Sequence, residues 1–110
     1  MAKKRFVSRN EFRYNFSQKH KNYVFGESGN KYHSVGITHN QNTFGKKNMP
    51  LERNPQNGKS EKSYIRYGII TENKKNYGPV LKNYKFSDSD FKNVKSKIRN
   101  YKKRKNKKSK

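Results

Sequence analysis

Cysteine is absent from the chain, so neither a disulfide framework nor a thiolate metal site can be built from it. Carboxylates are scarce: Asp and Glu number seven against 29 Lys and Arg. Those seven are scattered, and no His pair has zinc-finger or metalloprotease spacing, so no metal or other cofactor is expected. Long apolar runs are missing as well. The opening "MAKKRFVSRN" is basic but lacks the hydrophobic stretch of a secretory signal, and no segment is apolar enough to cross a bilayer, so the expectation is a cytoplasmic protein. No P-loop, dinucleotide fingerprint or nucleophile elbow is present; "GKS" at 58–60 lacks the upstream Gly and the preceding strand of a phosphate-binding loop.

What is abundant is positive charge. A formal net charge of +22 on 110 residues has to meet a polyanion. Lys, Asn, Tyr and Ile share A/T-rich codons, and so does Glu, so codon bias accounts for the Lys but not for the missing acids. The remainder is an electrostatic footprint for phosphates, with RNA the expected partner and a nucleoprotein or an acidic protein the alternative. A membrane surface fits less well, because no long basic helix offers a broad apolar face. Leu, Ile, Val and Phe sum to 19 of 110, a share at which high net charge ordinarily gives disorder. Fifteen Tyr and Phe argue the other way, because each buries a large area, and a thin aromatic core is the expectation.

Residues 1–19 read as a basic arm or edge strand, 20–101 as one small domain, and 102–110, with seven Lys or Arg, as a disordered basic tail. "NYVF" and "KYHSVGIT" around the turn "GESGN" predict a β-hairpin. In its second strand His33, Val35, Ile37 and His39 share the core side by parity unless the strand ends before His39. Residues 43–63 predict a long surface loop around a short extended "MPL", "YIRYGIIT" is the strongest strand signal, and "VLKNYKF" a last strand. Ser87 as N-cap, Asp88 and Asp90 in the first turn, and Phe91, Val94, Ile98 and Tyr101 at helical spacing predict a C-terminal helix. The fold class is therefore α+β: a small antiparallel sheet or partial SH3-like barrel of four or five strands, closed by one helix.

Basic residues interleave with aromatics in "FRYNF", "YIRY" and "KNYKF", the composition that single-stranded RNA takes up as phosphate and base contacts. Most of these rings must build the core. Tyr14, Tyr64 and Tyr84 fall by parity opposite the better apolar face and are the candidates for stacking, with Arg13, Lys46, Lys47, Lys95, Arg99 and the tail residues Lys102, Lys103, Arg104 and Lys105 for phosphates. RNA cleavage without a metal needs a base, an acid and cations. Thr38 and His39 at a strand end, Lys46 in the following loop and Arg66 on the strongest strand could supply them. His39 reads equally as a histidine capping a strand end, and His20 and His33 are weaker candidates.

The order "HKNYVF", "KYHSVGITHN", "YIRYGIIT" and a late helix resembles the PemK and ToxN group of endoribonuclease toxins, over residues 20–71. The resemblance implies an SH3-like barrel, metal-independent RNA cleavage and neutralisation by an antitoxin. The ToxN-like pattern of a strand closing in Thr-Ser with a Lys shortly after would fall on Thr38, on His39 in place of Ser, and on Lys46 at a longer spacing. The composition also resembles that of small basic proteins carried on mobile elements and phages.

Overall fold

The computed structural model describes the backbone of residues 5–108 and the side chains of residues 5–100. Four long antiparallel strands carry it: β1 (Phe6–Asn15), β2 (His20–Ser28), β3 (Lys31–Thr38) and β7 (Tyr64–Asn73). With the short β6 (Met49–Pro50) and β8 (Tyr77–Val80) they form a sheet in the order β6-β7-β3-β2-β1-β8. A separate two-stranded hairpin, β4 (Asn42–Thr43) with β5 (Lys46–Lys47), projects from the β3–β7 connection. One helix, α1 (Asp88–Lys108), completes the α+β fold.

Several boundaries differ from the sequence reading. Residues 6–15 form β1, which pairs with β2 along its length and with β8 only at Arg13 and Asn15, so its first half is a sheet edge and its end lies inside the sheet. The last strand is Tyr77–Val80 rather than "VLKNYKF" at 80–86, because Asn73 caps a single 3₁₀ turn (Lys74–Asn76) with its side chain and releases the chain extended at Tyr77. The 43–63 loop contains the β4–β5 hairpin, whose strands are too short to show any alternation. The helical backbone continues through Lys108, so the expected disorder from 102 is not what the backbone adopts; residues 109–110 and the side chains of Tyr101 and the tail lie outside the described residues. No helix among the described residues is long and apolar enough to cross a membrane.

Alternation along the strands builds two different faces. One is covered by α1 and contains Phe12, Tyr23, Phe25, Val35, Ile37, Leu51, Ile65, Phe86, Val94 and Ile98. Each such aliphatic or aromatic side chain gains about 1.5–3 kcal/mol from burial, and Phe86 packs edge-on against both Phe12 and Tyr23 at 4.9 Å. Ser87 accepts the Asp90 N–H, and Asp90, itself buried, accepts the backbone N–H groups of Glu52 and Arg53 at 2.7 and 3.2 Å, stitching the helix start to the segment after β6.

The opposite face is polar yet also buried. Asn22 donates to Ser34 Oγ at 2.9 Å, Ser34 and Tyr77 hydroxyls are hydrogen-bonded at 2.8 Å, and Asn15 donates to Glu72 at 2.7 Å. Tyr32 and Tyr77 stack edge-on at 5.2 Å above this network, with Val24 beneath.

The sheet edges meet at one end. Asn57 donates to the Asn83 carbonyl and Lys85 to the Pro55 carbonyl around a Gln56↔Tyr84 bridge, so the segments that follow β6 and β8 pair and close the sheet into a partial barrel.

Candidate functional site

A two-residue turn at Gly29-Asn30 sets Ser28 opposite Lys31, and the register runs back to Asn22 opposite Gly36. The start of β2 therefore lies beside the end of β3. There, next to the barrel closure, a cavity of about 320 Å³ is lined by Tyr14, Lys19, His20, Lys21, Thr38, His39 and Tyr84, together with Ile37, Asn40, Ser63 and the 54–56 turn. No carboxylate lines it.

β3 ends at Thr38, which releases His39 from strand parity and leaves it exposed rather than on the core side. Its Nδ1 lies 3.0 Å from the Lys62 carbonyl, which can only accept, so Nδ1 carries a proton and Nε2 is the nitrogen left for another partner. Thr38 is buried and its hydroxyl oxygen accepts the Asn40 N–H, so it shapes the turn that presents His39. His20 is held below the usual histidine range by burial first, then by the positive charge of Arg66 and by His39. The chain thus keeps one imidazole neutral beside a cluster of cations. Arg66 lies within 3.5 Å of Gln18 Oε1 and lays its stem over Gly36. A Cβ at position 36 would come 2.8 Å from Arg66 Cδ, so the glycine makes room for that side chain.

The structure gathers Tyr14, Thr38, His39 and Tyr84 around this cavity and adds His20, Lys19 and Lys21, with Arg66 close enough for its charge to reach His20. Sequence reasoning ranked His20 low; the Gly29-Asn30 turn was the available signal, since counting back from it brings residue 20 beside residues 38–39. Tyr84 is not opposite the core: its ring packs on Phe12 at 5.4 Å, Lys21 Nζ sits 5.8 Å over it, and its buried hydroxyl has no hydrogen-bond partner. Tyr64, half-buried opposite Thr38, is not among the lining residues.

The remaining candidates lie elsewhere. Lys46 and Lys47 are on the exposed β4–β5 hairpin, so Lys46 does not join the histidines as expected. Lys95 and Arg99 border a second cavity of about 470 Å³, between β1 and α1, whose floor is Phe6, Tyr23, Phe25 and Ile98. Arg13 is occupied internally: it binds Glu11 at 2.5 Å and the Gly78 carbonyl at 2.8 Å, and its guanidinium lies 5.0 Å over the Tyr32 ring, so it clamps β1 to β8 rather than facing a phosphate. Lys102, Lys103, Arg104 and Lys105 have helical backbone, but their side chains lie outside the described residues.

Five of the seven carboxylates are taken up by the fold. Glu27 binds Arg9 and Lys74, both of which hold it below the usual carboxylate range, and Glu11 binds Arg13. Glu52 accepts from Ser87 and Ser89, Glu72 from Asn15, and Asp90 from the backbone. Among the described residues no three His, Asp or Glu side chains converge as a metal site requires. No protein-family model, curated protein or solved structure matches the chain.

Proposed function

We propose that the protein binds RNA and cleaves it without a metal ion at the His20–His39 cavity, in the manner of the endoribonuclease toxins its sequence resembles. The observation that carries this reading is the composition of that cavity: two histidines of unlike environment, two lysines and two tyrosines, with no carboxylate to repel a phosphate. His20, kept neutral by burial and by neighbouring positive charge, is suited to take the proton of a ribose 2′-hydroxyl. His39, oriented through Nδ1, presents Nε2 to the leaving 5′-oxygen and donates a proton from its charged form. Attack of the 2′-oxygen on phosphorus breaks the bond to the 5′-oxygen, and the products end in a 2′,3′-cyclic phosphate and a free 5′-hydroxyl. Lys19, Lys21 and Arg66 offset the charge that builds on the phosphorane. An acidic antitoxin would occupy the same cationic surface.

Incubating the purified chain with labelled single-stranded RNA in excess chelator is the test. Products bearing cyclic phosphate, lost by a factor of about 10²–10⁴ in both His20→Ala and His39→Ala, support cleavage. A second reading, an RNA-docking protein without catalysis, is favoured by the position of Lys46, Lys47, Lys95 and Arg99 away from the cavity. Tight binding with no products, insensitive to either histidine, would leave that reading standing and end the catalytic one.

A further inference from the structure

The hairpin β4–β5 turns through Phe44 at φ 50° and Gly45 at φ 77°, both left-handed, with Thr43 paired to Lys46 and Asn42 to Lys47. This two-residue connection requires positive φ at both central positions and favours Asn, Asp or Gly at the first. Phenylalanine there is strained, and its side chain is 87% exposed, the most exposed large hydrophobic of the described residues. Phe44 stacks on no other described ring. Among the described residues no ring contact offsets either cost. The tip is nonetheless held firmly. Asn48, buried at the hairpin base, donates from one amide to the Asn40 carbonyl at 3.1 Å and the Thr43 hydroxyl at 2.7 Å, and its backbone N–H binds the Gln41 carbonyl at 2.9 Å. Asn40 also lines the His20–His39 cavity, so one buried side chain ties the finger to the rim of that site. Residues 40–48 contain two lysines and no acid.

From this geometry we infer that the β4–β5 hairpin is a base-stacking finger: Phe44 takes an unstacked nucleobase on its ring while Lys46 and Lys47 hold the flanking phosphates of the same single strand. The inference rests on the RNA-binding reading above and assigns that reading a specific contact outside the cavity. A flat ring at the exposed tip of a hairpin whose base is tied by Asn48 suits a nucleobase because every nucleobase offers a flat face, and the adjacent cations favour a polyanion over an apolar partner.

The test titrates the full chain against fluorescein-labelled single-stranded oligoadenylate and against the same backbone with abasic sugars, by anisotropy. Wild type should favour the base-bearing strand; Phe44→Ala should weaken that binding about tenfold or more, leave the abasic strand nearly unaffected, and keep the salt dependence, with Phe44→Tyr restoring affinity. Lys46→Ala with Lys47→Ala should instead lower the slope of log affinity against log salt by about 0.7 for each lysine and keep the base preference. Phe44→Ala binding oligoadenylate like wild type, or losing affinity equally for both strands, overturns the finger alone. Phe44-dependent binding of wild type to neutral phosphatidylcholine vesicles, without base preference, would assign the tip to a lipid surface and overturn it too. No affinity of wild type for either strand overturns the finger and the RNA reading together.

Discussion

The two faces of the sheet are both buried, but by different chemistry. Under α1 lie rings and aliphatic side chains whose contacts are non-directional, whereas the face that contains Asn22, Ser34 and Tyr77 is closed by directional hydrogen bonds. The difference shows how a chain so poor in aliphatic residues folds. Of the thirteen buried hydrophobics, six are Phe or Tyr, and Tyr32 and Tyr77 lie on the polar face, where their rings cover amides that water would otherwise reach. Burial raises the Tyr77 hydroxyl above its ordinary value, opposed in part by hydrogen bonds with Ser34, Asn15 and Asn22.

The contrast is broken most sharply on the apolar side. Phe86→Ala removes the ring wedged between Phe12 and Tyr23 and should destabilise the protein by about 3–5 kcal/mol, enough to leave it largely unfolded by circular dichroism at room temperature. On the polar side Tyr77→Phe removes the hydroxyl partner of Ser34 and should lose about 1–3 kcal/mol in urea denaturation. Replacing the whole set, Asn22→Leu with Ser34→Ala and Tyr77→Phe, should lose less than Tyr77→Phe alone, because no orphaned partner remains. A triple variant weaker than the single one would mean that packing, not hydrogen bonding, carries this face.

Phe44 belongs to neither face and serves as the control. Phe44→Asn relieves the left-handed strain and should raise stability by about 1 kcal/mol while weakening RNA binding, a separation read by parallel denaturation and anisotropy. The smallest effect is expected from His20. Its folded value lies below the ordinary 6.5, so the unfolded chain takes up the proton first. The folded state therefore gains nothing above that pH and loses stability as the pH falls below it. His20→Gln should flatten this acid-side decline in a series of thermal melts; an unchanged decline would place its origin in another group.

The helix was legible because Ser87, the acidic first turn and the Val94 and Ile98 stripe all point to one element, and the β2–β3 hairpin because Gly29 and Asn30 separate two apolar runs. The strongest strand kept Ile65 and Ile69 on one side as its alternation required. The β4–β5 hairpin was not legible: two residues per strand carry no periodicity, and Phe-Gly is a weak turn signal. β1 was legible as an edge strand over its exposed, basic first half, but the place of its end inside the sheet depends on the later Tyr77–Val80 segment returning to pair with it. The candidate site was half legible. His39 stood out at a strand end, but its neighbours His20 and Lys21 are brought to it by strand register, and the distance of Lys46 from them by a hairpin that points away.

The short ladder around Gln56 and Tyr84 has a bearing on assembly. Where the segments after β6 and β8 join each other, neither offers its amides as a template on which a second molecule could add a strand, so strand addition is confined to the open stretches of β1 and β7 farther along the sheet.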